Sequence, residues 1–117
     1  MPKPKKSDIE DFLREFKQVW DGTVIDRLNT ANDDTLTELK ITPYQRVDEI
    51  RKLTYKDYFR GPTPDRAAPS EQMWEFGTTV DGYEIYIKLK IFEISGNKRG
   101  KCLSFHIASW SIRYPFR

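Results

Sequence analysis

The chain has 117 residues, is 38% hydrophobic and 32% charged, and carries a formal net charge of +2. That length fits one domain with one core, and the 7 Phe, 6 Tyr and 3 Trp argue against wholesale disorder. A single cysteine, Cys102, excludes an internal disulfide and, with one histidine, leaves no zinc cluster.

No run approaches the ~20 apolar residues of a membrane span, and no hydrophobic stretch follows the basic start Lys3-Pro4-Lys5-Lys6. The expectation is a soluble cytoplasmic protein with no cofactor, no metal and no membrane partner. Residues 1–6 read as a flexible basic tail, and 7–117 as a single domain.

Ser7-x-x-Glu10 has the pattern of a capping box, in which a hydroxyl and a carboxylate serve unpaired amides at a helix start. Ile9, Phe12, Leu13, Phe16, Val19 and Trp20 follow at helical spacing. This predicts a helix over 7–20 whose apolar face lies on a sheet. Asp21-Gly22 ends it. Residues 23–27 read as a short edge strand and 32–40, with Leu36 and Leu39, as a short helix.

Thr42-Pro43-x-Gln45 places a capping hydroxyl before a first-turn proline, and Val47, Ile50 and Leu53 mark the buried side. Residues 54–59 read as one further helical turn. The stretch from Arg60 through Gly61-Pro62-Thr63-Pro64-Asp65-Arg66 to Pro69 reads as a long loop, because proline does not pair inside a sheet.

Three strands follow. Met73-Trp74-Glu75-Phe76 leads through Val80-Asp81-Gly82-Tyr83 into a second strand. Asp-Gly suits a two-residue turn in which both residues take positive φ. That register sets Glu75 opposite Lys88 and diagonal to Tyr86. From Tyr83 to Phe92 the odd positions are apolar and the even ones are Glu84, Tyr86, Lys88 and Lys90. After a basic turn at 95–100, Leu103, Phe105 and Ile107 alternate with Ser104 and the single histidine, His106.

Strand side chains alternate with period two. One sheet face therefore collects Glu75, Tyr86, Lys88, Lys90, Ser104 and His106, an inventory suited to acid–base chemistry beside cations. The same residues also describe the solvated side of an amphipathic strand with a cross-strand ion pair. Arg60 and Arg66 bracket the proline segment, and Arg113 and Arg117 alternate with Tyr114 and Phe116 in the tail. Guanidinium groups suit phosphate, and the two tail aromatics are placed to stack on unpaired bases. Helices first and antiparallel strands last predict an α+β domain.

Leu53-Thr54-Tyr55-Lys56-Asp57-Tyr58-Phe59-Arg60, Met73-Trp74-Glu75, Glu84-Ile85-Tyr86-Ile87-Lys88-Leu89 and Leu103-Ser104-Phe105-His106 together resemble the MqsR-type mRNA interferases. These are toxins of type II toxin–antitoxin systems, within the RelE-like group of small RNases. The similarity spans roughly half of the chain. The resemblance implies N-terminal helices on a C-terminal antiparallel sheet. It also implies metal-independent cleavage of mRNA by 2′-OH attack and a cognate antitoxin as partner. It assigns functional roles to Arg60, Glu75, Tyr86 and His106, where the family carries lysine, glutamine, tyrosine and lysine. Glu75 and His106 are then the acid–base couple, in either order, with Arg60 and Lys88 facing the phosphate. Lys88, Lys90, Arg66, Arg113 and Arg117 would bind RNA. The alternative is a non-catalytic RNA- or protein-binding module of the same fold.

Overall fold

A computed structural model describes residues 3–25 and 30–117. Helix α1 (Lys6–Val19) runs directly into strand β1 (Trp20–Val24), and α2 (Thr30–Leu39) and α3 (Pro43–Arg51) follow. A single 3₁₀ turn, Tyr55–Asp57, leads into β2 (Tyr58–Asp65), β3 (Ala68–Val80), β4 (Tyr83–Ile94) and β5 (Asn97–Ile107). The sheet order is β1-β5-β4-β3-β2. It is mixed rather than purely antiparallel, because β1 pairs with β5 in parallel. The fold class is α+β.

Helix α1 starts one residue before the expected position, which moves Lys6 out of the tail. Its cap is made by Asp8, whose carboxylate accepts from the Lys5 amide at 2.8 Å, so Ser7 is not the capping residue. Ile9, Phe12, Leu13 and Phe16 bury the predicted stripe against Trp74, Phe76, Ile85, Ile87, Leu89 and Phe105 of the sheet. Phe12 stacks on Trp74 with ring centroids 4.7 Å apart. The expected Thr42 cap of α3 forms, its hydroxyl accepting from the Gln45 amide at 3.2 Å, and the Gln45 side chain completes a capping box by accepting from the Thr42 amide at 2.7 Å.

Three further expectations are corrected. The proline segment is a strand. Pro62 and Pro64 are accommodated because β2 is the outer strand of the sheet, where a missing N–H costs no ladder bond. The helical turn expected over 54–59 is limited to three residues, and Arg60 sits in β2 rather than at a helix end. The expected strand over 23–27 lies over 20–24, and its last two residues fall outside the described ones.

The Asp81-Gly82 turn takes positive φ at both residues, 51° and 80°, and it fixes the predicted Glu75↔Lys88 register. A bulge in β5 follows: Lys88 pairs Ser104 while Leu89 pairs Cys102, leaving Leu103 as the extra residue. Cys102, fully buried, takes the core position that alternation assigned to Leu103.

Beyond Val24, among the described residues, no strand flanks β5, and α2 bonds to this edge with side chains. Asn32 Oδ1 accepts from the Phe105 amide at 3.0 Å, its Nδ2 donates to the Ile25 carbonyl at 2.9 Å, and Thr35 Oγ1 accepts from the Ile107 amide at 3.0 Å. Both side chains are buried. Three ladder positions are thereby satisfied without a strand.

Candidate functional site

The sheet face turned away from α1 carries the expected residues. Register places Arg60 opposite Glu75, Glu75 opposite Lys88, Lys88 opposite Ser104, and Tyr86 opposite His106. Four neighbouring strands thus deliver side chains to a common patch. Arg60 Nε donates to Glu75 Oε2 at 2.8 Å, and the Tyr86 hydroxyl donates to Glu75 Oε1. The Glu75 side chain is 6% exposed, while that of Arg60 is 59% exposed. An anion is therefore buried beneath a cation that faces solvent.

The Glu75 hydrogen bond holds the Arg60 guanidinium above its ordinary value. Burial, then the hydrogen bond to Glu75, pushes the Tyr86 phenol far up, so it remains a proton donor. The Lys88 ammonium lies 6.0 Å from the Tyr86 ring centroid.

His106 is half-buried, its ring 5.3 Å from that of Tyr86. Its Nδ1 lies 3.1 Å from the Ile107 carbonyl oxygen. A carbonyl only accepts, so Nδ1 carries the proton and a neutral ring has its lone pair on Nε2. Glu75 and His106 belong to β3 and β5, with Tyr86 of β4 between them. A small cavity of about 350 Å³ beside His106 is lined by Ala31, Asp34, Thr35, Glu38 and Ile107. A larger cleft of about 1350 Å³ includes Arg60, Phe12, Trp74, Pro62 and Ile91 in its lining but none of Glu75, Tyr86 and His106.

The cations expected to bind RNA have different fates. Lys88 belongs to the patch. Lys90 does not serve as a free cation: its side chain, 4% exposed, is held by Asp65 and, at 2.6 Å, by Glu71. Burial alone would lower its pKa, but the two carboxylates outweigh that and raise it. Arg66 is exposed in the β2–β3 turn, roughly 25 Å along β3 from Glu75 at ~3.3 Å per residue. Arg117 pairs with Asp57 at 2.9 Å and stacks 3.6 Å over the Tyr114 ring. Arg113 is exposed in the tail.

The aromatic tail corrects another expectation. Ile112 and Tyr114 lie on Gly77, the β3 residue opposite Tyr86, where an added Cβ would fall 2.7 Å from Ile112 Cδ1 and 2.5 Å from Tyr114 Oη. Burial and the nearby Glu84 carboxylate push the Tyr114 phenol up to about 12. Phe116 packs edge-on against Tyr55 and Tyr58. Tyr114 and Phe116 are thus engaged with the protein. Trp110, which periodicity did not single out because it follows the last strand, contacts Tyr86 at 5.4 Å and is 43% exposed.

Among the described residues no three His, Cys, Asp or Glu side chains converge as a metal site, and no helix is long and apolar enough to cross a membrane. Compared with known proteins, the chain matches no family model, no curated sequence and no solved structure.

Proposed function

We propose that the chain is a RelE-like endoribonuclease toxin, cleaving mRNA without a metal and held in check by a cognate antitoxin. The observation that carries this reading is the convergence of four positions from four strands. Arg60, Glu75 and Tyr86 form one hydrogen-bonded cluster, and His106 lies against Tyr86.

Both Glu75 oxygens are engaged, one by a guanidinium and one by a phenol. Neither oxygen is therefore left to take a proton from substrate without giving up a donor it already holds. His106 Nε2 is the base in this reading, because Nδ1 is turned to the Ile107 carbonyl. It takes the proton of the ribose 2′-OH as the 2′-oxygen bonds to phosphorus. The bond to the 5′-oxygen breaks, and the Lys88 ammonium returns a proton to that oxygen. The products are a 2′,3′-cyclic phosphate and a 5′-OH. Arg60 stabilises charge on the non-bridging oxygens. Glu75 and Tyr86 hold the guanidinium in place.

The engagement of both Glu75 oxygens also favours a second reading, a non-catalytic RNA-binding module. One experiment separates the two: single-stranded RNA is incubated with wild type and His106→Ala in excess EDTA. A positioned base contributes about 10²–10⁴-fold in rate. A loss of that size is expected, with the melting transition unchanged because no core volume is removed. Equal cleavage by the two proteins removes the mechanism. RNA binding with no cutting by the wild type installs the binding module instead.

A further inference from the structure

The loop 108–112 is fastened at both ends by one residue of β4. The Glu84 carbonyl accepts from the Ala108 amide at 2.9 Å, and the Glu84 carboxylate accepts from the Ile112 amide at 2.7 Å and from the Tyr114 hydroxyl at 3.3 Å. Ile112, 6% exposed, plugs the space above Gly77. Trp110 stands at the middle of this short bridge, with its ring against Tyr86 and 43% of its surface open. Trp20 and Trp74 are 4% and 9% exposed, so Trp110 is the tryptophan that solvent reaches. Lys88 lies over the other partner of this contact, Tyr86, and Arg113 is exposed on the same segment.

An aromatic ring fixed before binding loses little freedom when it takes a partner. A cation over the Tyr86 ring and an exposed one three residues along the chain from Trp110 favour a polyanion over an apolar peptide. We propose that Trp110 is a base-stacking platform, positioning the nucleotide next to the phosphate held at Arg60 and Lys88, with Glu84 as the residue that sets its height. The proposal rests on the endoribonuclease reading for the identity of that phosphate. It adds a specificity-determining residue on a segment outside the catalytic strands. Stacking tolerates any base but needs an unpaired one, so the substrate class is single-stranded RNA, not duplex.

The test uses full-length protein and a 2′-O-methyl single-stranded oligonucleotide, which has no 2′-OH to attack. A matched strand of abasic sites carries the same phosphates without bases. Wild type should show Trp emission quenched by the base-bearing strand and not by the abasic one. Trp110→Ala should bind the base-bearing strand about 5- to 150-fold more weakly, the range for one stacked base, and the abasic strand as wild type does. Trp110→Phe should recover most of the loss. On cleavable RNA, Trp110→Ala should raise KM more than it lowers kcat. Gly77→Ala, which displaces Ile112 and Tyr114, should reproduce the binding defect with a lowered melting temperature.

Emission unmoved by either strand, or equal losses on both, overturns the platform and leaves the indole to a protein partner. Cleavage by Trp110→Ala at wild-type KM does the same while leaving the enzyme intact. Quenching by the base-bearing strand without any RNA cutting preserves the platform and removes the enzyme.

Discussion

Two ionic clusters span the same three strands and are built in opposite senses. Arg60 of β2, Glu75 of β3 and Tyr86 of β4 bury the anion and leave the cation in solvent. Asp65 of β2, Glu71 of β3 and Lys90 of β4 bury the cation between two carboxylates that are 17% and 27% exposed. A solvent-facing guanidinium on a fixed carboxylate can add a phosphate without leaving its partner, because its planar fork has donors to spare. An ammonium already shared by two carboxylates, on a side chain only 4% exposed, has little access to a ligand. The first arrangement suits recognition and the second suits fastening the β2–β3 hairpin to β4.

The comparison breaks most visibly if the two cations are removed in turn. Arg60→Ala should cost ~10²–10³ in kcat, the scale of one lost transition-state donor. Its stability loss should be about 1–3 kcal/mol, since Glu75 loses one donor but keeps Tyr86, and water enters where the exposed guanidinium lay. Lys90→Met should do the reverse. Stranding two part-buried carboxylates costs about 3–5 kcal/mol, while the folded fraction cleaves at the wild-type rate. Denaturant melts and single-turnover cleavage read the two effects separately. A catalytic loss at Lys90 as large as at Arg60 would erase the distinction.

A finer test is Tyr86→Phe, which removes one of the two donors to Glu75 and leaves the ring in place. Hydrogen bonds to charged groups contribute about 1.5–3 kcal/mol, and a loss in that range is expected in the denaturant midpoint. A change below ~0.5 kcal/mol would show that Arg60 alone neutralises Glu75.

The smallest effect is in acid. Asp65 is held below the ordinary carboxylate value, first by its hydrogen bond from Lys90 and then by that from the Ala67 amide. A depressed folded-state pKa gives stability that is present above the unfolded value of ~3.9 and lost as pH falls through the folded one. The difference in melting temperature between wild type and Asp65→Asn should therefore be constant above about pH 5 and shrink below pH 4. A difference independent of pH across that window would mean that Asp65 titrates alike in both states.

Much of this arrangement is legible in the chain. Period-two alternation from Tyr83 to Phe92 and the Asp81-Gly82 turn are local signals, and together they set the face and register that bring Glu75 beside Tyr86. Other features are not local. The partners of Lys90 depend on a proline segment pairing as an outer strand, which its composition argues against. The Leu103 bulge puts Cys102, not Leu103, in the core, a shift that strict alternation does not signal. The engagement of Tyr114 and Phe116 depends on a bare Gly77 across the sheet. Asn32 and Thr35 read as ordinary polar helix residues until β1 stops short.

That last substitution of side chains for a strand has a consequence for self-association. An open strand edge is a template for another chain, and among the described residues the amides of Phe105 and Ile107 in β5 are met by the Asn32 amide group and the Thr35 hydroxyl. Backbone pairing is indifferent to sequence, but this closure is written in two codons. Replacing Asn32 would leave the amide of Phe105 and the carbonyl of Ile25 without that partner, turning this flank into a seam where a second molecule could add its own strand.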